Sequence, residues 1–224
     1  MKGSRAWISL AVAIVACTGP SKAQRKTLAE SIAAGNHAAA VSAIQAKQES
    51  YGASNQVLYE LDLGLALHMA GAYAESSKHL IKALERMEAL YTRSASRMTG
   101  ALLANENIEE YRGDPLDRVL AHIFCALNFA LLGDIDEALV EIRRVEAFLD
   151  ERSGREAGLP AAYQDDAFAR YLAALLYEES GKPDDARISH EAALKAYRRY
   201  EADYRTPAPS FAFPAFLADA GELV

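Results

Sequence analysis

The clearest pattern along the chain lies between Tyr111 and Val145, YRGDPLDRVLAHIFCALNFALLGDIDEALVEIRRV, where apolar positions recur with the helical period on either side of one glycine. Asp114 and Pro115 form a helix start: an N-cap oxygen, then a residue whose missing N–H costs nothing at the first helical position. The pattern predicts a helix from Pro115 to Leu132, a left-handed stop at Gly133, and a restart at Asp134 with Glu137 as the reciprocal member of a capping box. In the second helix, to about Asp150, Ile135, Ala138, Leu139, Ile142, Val145, Phe148 and Leu149 share one face. Asp136, Glu137, Glu141, Arg143, Arg144 and Glu146 take the other, so one face of the unit is expected to be buried.

Looser copies flank this unit. Thr27 opens a brief helix to Ala34, Gly35 and Asn36 punctuate it, and an Ala-rich helix follows to about Glu49. A second pair begins near Asn55 with Leu58, Leu61, Leu65 and Met69 on one stripe, breaks at Gly71, and resumes from Tyr73 to about Ser94 through Ser77, Leu80, Leu84, Met87 and Tyr91. Residues 95–113 are the least regular, with some helix expected at 101–110, and read as an insertion between the second and third pairs. After the charged linker ERSGREAGLP, a last pair carries Phe168, Tyr171, Leu172, Leu175 and Leu176, breaks at Gly181, and resumes after Pro183 through Ala186, His190, Ala193, Tyr197, Tyr200 and Tyr204. The Pro/Phe-rich tail 206–224, with Phe211, Phe213, Phe216 and Leu217, is apolar enough to be expected to pack on the array.

The first residues change the picture of where this domain works. Lys2 and Arg5 precede a short apolar run from Ala6 to Ala16, too short to span a bilayer, which reads as a signal peptide over residues 1–16. Ile14-Val15-Ala16-Cys17 resembles the lipobox of bacterial lipoproteins, which implies lipidation of Cys17 as the new N-terminus. Residues 17–26 would then be the lipidated Cys and a tether, and 27–205 the helical domain. The alternative is an ordinary secretory peptide cut after Ser21-Lys22-Ala23. Thr18 after the Cys, rather than Asp, implies sorting to the inner leaflet of the outer membrane, facing the periplasm. More than one acyl chain makes such an anchor stable.

The chain has 224 residues, 51% hydrophobic, with 31 acidic against 24 basic side chains, and losing Lys2 and Arg5 widens that excess. An acidic surface without basic–aromatic clusters disfavours nucleic acid as a partner. Of two Cys, Cys125 sits among Ile123, Phe124, Ala126 and Leu127 on a helix, where a free thiol behaves as a small hydrophobe.

Aligned at the turns, the pairs repeat: Gly35, Gly71, Gly133 and Gly181 are each followed five residues on by Ala40, Ser76, Ala138 and Ala186, and four further by Ile44, Leu80, Ile142 and His190. Gly64, Ala126 and Ala174 precede the last three turns by seven residues. This is similar to the tetratricopeptide repeat (TPR), in which small residues let antiparallel helices pack closely. The resemblance implies an all-α, TPR-like antiparallel helix-pair array, an α-solenoid, although glycine spacings of 36, 62 and 48 residues make it degenerate. A non-repetitive helical bundle is the alternative. More closely, Tyr111, Gly113 and Asp114, then Gly133, Asp134, Glu137, Ala138, Val140, Glu141, Arg143 and Arg144, resemble the shared core of an uncharacterised family of bacterial TPR-like lipoproteins with no catalytic assignment. Members continue beyond a segment like Gly221-Glu222-Leu223-Val224, so this chain resembles a shortened member.

Candidate chemistry is sparse. His122 and Cys125 lack the further ligands zinc needs, Gly133-Asp134-Ile135-Asp136 lacks the Gly and terminal Glu of a calcium loop, and no phosphate-binding or nucleophile motif is present. No cofactor, no metal and no catalytic residue is expected. Instead, the TPR register directs Leu61, Leu65, Met69, Ile123, Leu127, Leu131, Tyr171 and Leu175 toward the concave groove, as an apolar partner-binding strip that is either open or covered by the insertion or tail. The expected function is a periplasm-facing, lipid-anchored scaffold for protein–protein interactions in cell-envelope assembly or maintenance, with unidentified envelope proteins as partners. The alternative is an envelope enzyme or a glycan- or lipid-binding protein using the apolar groove.

Overall fold

The computed structural model describes residues 30–99, 110–153 and 165–205, and all regular structure in them is helical. The signal peptide, Cys17 and its tether, residues 101–109 of the expected helix, most of the linker after Ser153 and the tail 206–224 lie outside the described residues, and Glu110 is not helical. The helices are α1 (His37–Gln45), α2 (Gln48–Tyr51), α3 (Gln56–Met69), α4 (Tyr73–Thr99), α5 (Pro115–Leu131), α6 (Ile135–Ser153), α7 (Ala167–Glu179) and α8 (Pro183–Tyr204). A short 3₁₀ turn at Ala53–Asn55 leads into α3.

Local chemistry sets these bounds. At α5, Asp114 Oδ1 accepts from Asp117 N at 2.9 Å and Asp117 Oδ2 accepts from Asp114 N at 3.0 Å, a capping box closed by Asp117 with Pro115 at the first position. The four turn glycines share one geometry. Gly35, Gly71, Gly133 and Gly181 have φ between +72° and +83°. Each donates to the carbonyl three residues back while the next residue donates to the carbonyl five back, at 2.9 to 3.0 Å in all four, which satisfies the orphan carbonyls of the ending helix. Only glycine adopts this left-handed conformation without cost. The residue after each glycine then accepts from the N–H four further on, starting the next helix: Ala40, Ser76, Ala138 and Ala186 are those donors, and all four are buried.

Two bounds differ from the sequence expectation. The Ala-rich helix breaks at Ala46 and Lys47, and α2 follows as a separate turn whose Tyr51 is buried and donates to Asp62 Oδ2 at 2.7 Å. Helix α4 runs to Thr99 rather than Ser94, so the first residues assigned to the insertion are helical. Its last residues, 110–113, are tied down: Arg86 pairs with Glu110, Tyr111 N donates to Ser54 O at 2.8 Å, and Gly113 lies against Met87.

The core is strung along the chain in three clusters. Ile44, Tyr51, Tyr59, Leu63, Ala66 and Leu67 join α1 and α2 to α3. Val57, Leu80, Leu84, Met87, Leu90, Ala121 and Cys125 join α3 and α4 to α5. Val119, Ile123, Ala126, Leu139, Ile142, Val145, Leu172, Leu176 and their neighbours join α5 and α6 to α7 and α8. The heaviest packing is between helices adjacent in sequence, α3 with α4, α5 with α6 and α7 with α8. Helices α3 and α4 come close at Gly64, where an added Cβ would lie 2.7 Å from Leu80 Cγ.

Candidate functional site

The first helix of each hairpin, α3, α5 and α7, must serve two neighbours at once. One side packs on its own second helix. A flank meets the second helix of the preceding hairpin, α4 against α5 and α6 against α7. In addition, His68 of α3 lies edge-on to Phe124 of α5, ring centroids 4.8 Å apart, and Ile123 and Ala126 of α5 belong to one core cluster with Ala169 and Leu172 of α7. What remains is a solvent-facing stripe, and it is apolar. Counted back from the turn glycine, position two is Met69 and Leu131, position six is Leu65 and Leu175, and position thirteen is Leu120 and Phe168, all exposed, with Leu131 reaching 57%. Spacings of four and seven put these three positions on one helical face.

The eight residues assigned to the groove from sequence separate accordingly. Leu65, Met69, Leu131 and Leu175 lie on this exposed face. Leu127 is partly buried and packs on the α5–α8 cluster, Leu61 is partly buried against the cluster of Val57 and Leu80, and Tyr171 is half-buried with its ring 5.9 Å from that of His190. Ile123 is a correction: at 2% exposure it is a core residue. It sits ten before the turn glycine, rotated off the exposed stripe toward the flank where α6 and α7 close over α5. The strip Ile123, Leu127, Tyr171 and Leu175 is thus not an open surface. Leu120 and Phe168, which sequence reasoning missed on this face, share the stripe at thirteen before the glycine, and Leu116 is exposed one turn before Leu120.

Several polar groups at the seams are committed to partners. Between the second and third hairpins, Asn128, fully buried, donates from Nδ2 to Ser76 Oγ at 2.9 Å, and Ser76 donates to Gly64 O at 2.7 Å. That fixes the amide, so Asn128 Oδ1 faces His68 Nδ1 at 2.6 Å and Nδ1 must carry the proton. Between the last hairpins, Arg170 pairs with Asp165 at 3.1 Å and with Asp150, Arg199 reaches Asp165 at 2.6 Å, and Tyr200 donates to the Asp165 carbonyl at 2.8 Å. This network replaces apolar packing where α7 enters.

His122 and Cys125 do not converge on a common point. His122 Nδ1 meets Glu141 at 2.6 Å, while Cys125 lies in the apolar cluster with Val57 and Met87, and burial, with the Glu141 carboxylate adding, pushes its thiol well above the ordinary range. Among the described residues no group of three or more His, Cys, Asp or Glu side chains is placed to hold a metal, and no helix is long and apolar enough to cross a membrane. A cleft of about 610 Å³ opens between α4, the 112–115 segment, α5 and α6, lined by Met87, Tyr91, Arg112, Arg118 and Phe148 among others. Arg118 fills part of it, pairing with Glu88 at 2.8 Å and lying 5.9 Å from the Phe148 ring centroid. No protein-family model matches the chain, and no curated protein is significantly similar to it.

Proposed function

We propose that the chain is a lipid-anchored, TPR-like scaffold that binds other cell-envelope proteins through the exposed apolar face of its first helices. The observation that carries this reading is the recurrence of that face: Met69 and Leu131, Leu65 and Leu175, Leu120 and Phe168 are exposed at equivalent positions, each in two of the three hairpins. Isolated exposed leucines are ordinary on a protein surface, but apolar residues repeated at one register on adjacent helices mark an interaction surface. Identical glycine turns, buried small residues five positions on, and core clusters shared only between neighbours along the chain support a stacked array over a plain bundle. Anchoring through Cys17 rests on Ile14-Val15-Ala16-Cys17 and would hold this surface at the periplasmic side of the outer membrane.

The test is cross-linking and capture from envelope membranes with the full chain, wild type against Leu131→Glu and Leu175→Glu, after circular dichroism has established equal helicity. Both positions are already exposed, so a folded variant with a charge there loses partners only if the face binds them. Unchanged capture by both folded variants refutes the reading.

A second reading, a small-ligand binder, is favoured by the cleft beside Met87, Tyr91 and Phe148. It predicts a co-purifying glycan or lipid that survives Leu131→Glu and is lost on Tyr91→Ala.

A further inference from the structure

The two central hairpins bury a polar contact at the same level, eleven residues before and eight after the turn glycine, and build it with opposite polarity. Between α3 and α4 the carboxylate is on the first helix: Glu60 meets His79 Nδ1 at 2.6 Å through Oε2 and Lys82 through Oε1. Between α5 and α6 it is on the second: Glu141 meets His122 Nδ1 at 2.6 Å through Oε2 and Arg144 at 2.6 Å through Oε1. Lys82 and Arg144 are themselves equivalent, eleven past their glycines. Both carboxylates are almost wholly withdrawn from water, at 2% and 3% exposure.

The rest of the two interfaces is close to interchangeable. Ser76 and Ala138 are both small and buried, Leu80 and Ile142 are both aliphatic and buried, and Gly64 and Ala126 stand at the same register. Shape opposes only one exchange: the site of Gly64 has no space for a Cβ beneath Leu80, so α5 with Ala126 fits poorly on α4, whereas α3 with its glycine leaves room for Ile142. Apolar packing alone therefore gives α3 a second acceptable partner in α6.

We propose that the opposed polarity is a pairing code that keeps each first helix on its own second helix, within one chain and between copies. An exchanged α3–α6 hairpin buries Glu60 against Glu141 with Arg144 alone to serve both carboxylates. Its counterpart, α5 with α4, sets His122 against His79 with no carboxylate to accept from either ring, beside the largely exposed Lys82. The first leaves one carboxylate uncompensated in a dehydrated interface and the second leaves buried imidazole N–H groups without an acceptor, and both are unfavourable. Repeat proteins need such a device because equivalent hairpins are competing partners during folding.

The experiment is a cycle of polarity swaps in the full chain: His122→Glu with Glu141→His, Glu60→His with His79→Glu, and all four together. Each paired swap keeps a His–Glu contact within its hairpin but gives both hairpins the same polarity; the fourfold variant restores opposition in reverse. All are refolded from urea at rising protein concentration, and the recovered native monomer is measured by size exclusion with light scattering and by helicity. Either paired swap is expected to lose native monomer severalfold to exchanged or oligomeric species, increasingly with concentration, and the fourfold variant to return to wild-type recovery. A merely structural role for these side chains makes the fourfold variant the worst of the set, and that outcome overturns the proposal. So does wild-type recovery by both paired swaps, or a paired swap that yields no folded protein at any concentration, since the two polarities would then not be interchangeable within a hairpin.

Discussion

Gly64→Ala tests the close contact between α3 and α4, and the structure sets its sign. In isolation the change favours the helix, because alanine exceeds glycine in helix propensity by about 1 kcal/mol. Here the new Cβ would lie 2.7 Å from both Cγ and Cδ2 of Leu80 and 3.3 Å from Leu80 N. The branch point and backbone of a buried leucine cannot swing aside as a flexible side-chain tip would, so α3 and α4 must separate. Overpacking of this kind costs about 1–3 kcal/mol, and contact with the Leu80 backbone argues for the upper end. Setting about 3 against about 1 leaves Gly64→Ala destabilising by about 2 kcal/mol. Urea denaturation followed by circular dichroism should show a lower midpoint at unchanged slope. The decisive comparison is the same change in a Leu80→Ala background: Cγ and Cδ2 are gone and only the 3.3 Å approach to the backbone N remains, so Gly64→Ala there should be close to neutral although Leu80→Ala itself costs about 2–5 kcal/mol. The two sites then show a coupling of about 2 kcal/mol, well outside additive behaviour. Equal effects of Gly64→Ala in both backgrounds, or a gain in the wild type, refute the reasoning.

Two further outcomes follow from burial. Cys125 is fully buried with its thiol pushed up, so at mildly alkaline pH iodoacetamide should label it only as fast as the protein unfolds, measured by mass spectrometry across a urea series; prompt labelling of the native protein would contradict this. At Asp166, which caps α7 by accepting from Ala169 N at 2.8 Å, burial, reinforced by the Asp165 carboxylate, raises the carboxyl pKa despite that hydrogen bond. A raised carboxyl contributes stability that is present below its unfolded pKa of about 4 and is lost as pH rises through the folded value, so its ionised form is a liability near neutrality. Because Asn caps helices as well as Asp does, Asp166→Asn should raise the urea midpoint at neutral pH, with the advantage closing on strong acidification; an advantage that grows as pH falls would reverse the sign of the argument.

What the sequence disclosed was local. The four glycine turns are legible because a left-handed residue ending a helix is a property of a few consecutive residues, and the start of α5 is legible because Asp114 and Pro115 announce it. The break between α1 and α2 is not, since no Gly or Pro marks Ala46 and Lys47; Tyr51 is drawn out of the Ala-rich helix by Asp62, eleven residues away. Nor do Glu60, His122 and Arg170 show in the sequence as equivalents. Each interrupts an apolar stripe, and its partner lies on another helix or in the segment before α7. Periodicity found the apolar sides of α5 but did not rank them: Ile123 and Leu131 belong to the same broad stripe, and only the closure of α6 and α7 over one flank separates a core residue from an exposed one.

That separation bears on what the exposed face is for. Second helices are charged in the usual way, with Lys78, Glu85, Arg86 and Glu88 on α4 and Asp136, Glu137, Arg143 and Arg144 on α6. First helices are not. From Val119 to Leu131, α5 carries no Asp, Glu, Lys or Arg, and the charges that α3 and α7 do carry are mostly turned inward: Glu60 to His79 and Lys82, Asp62 to Tyr51, Arg170 to Asp165. A surface that needed only to stay soluble would put charge at positions two, six and thirteen before the glycine, as the second helices do along their outer sides. Glu179 occupies position two in the last hairpin, so the backbone tolerates a carboxylate there. Leucine, methionine and phenylalanine at the equivalent exposed positions are therefore not demanded by the fold. Their recurrence at each register in two of the three hairpins fits a surface shaped by what it contacts, which is why the proposed partner meets the first helices rather than the charged ones.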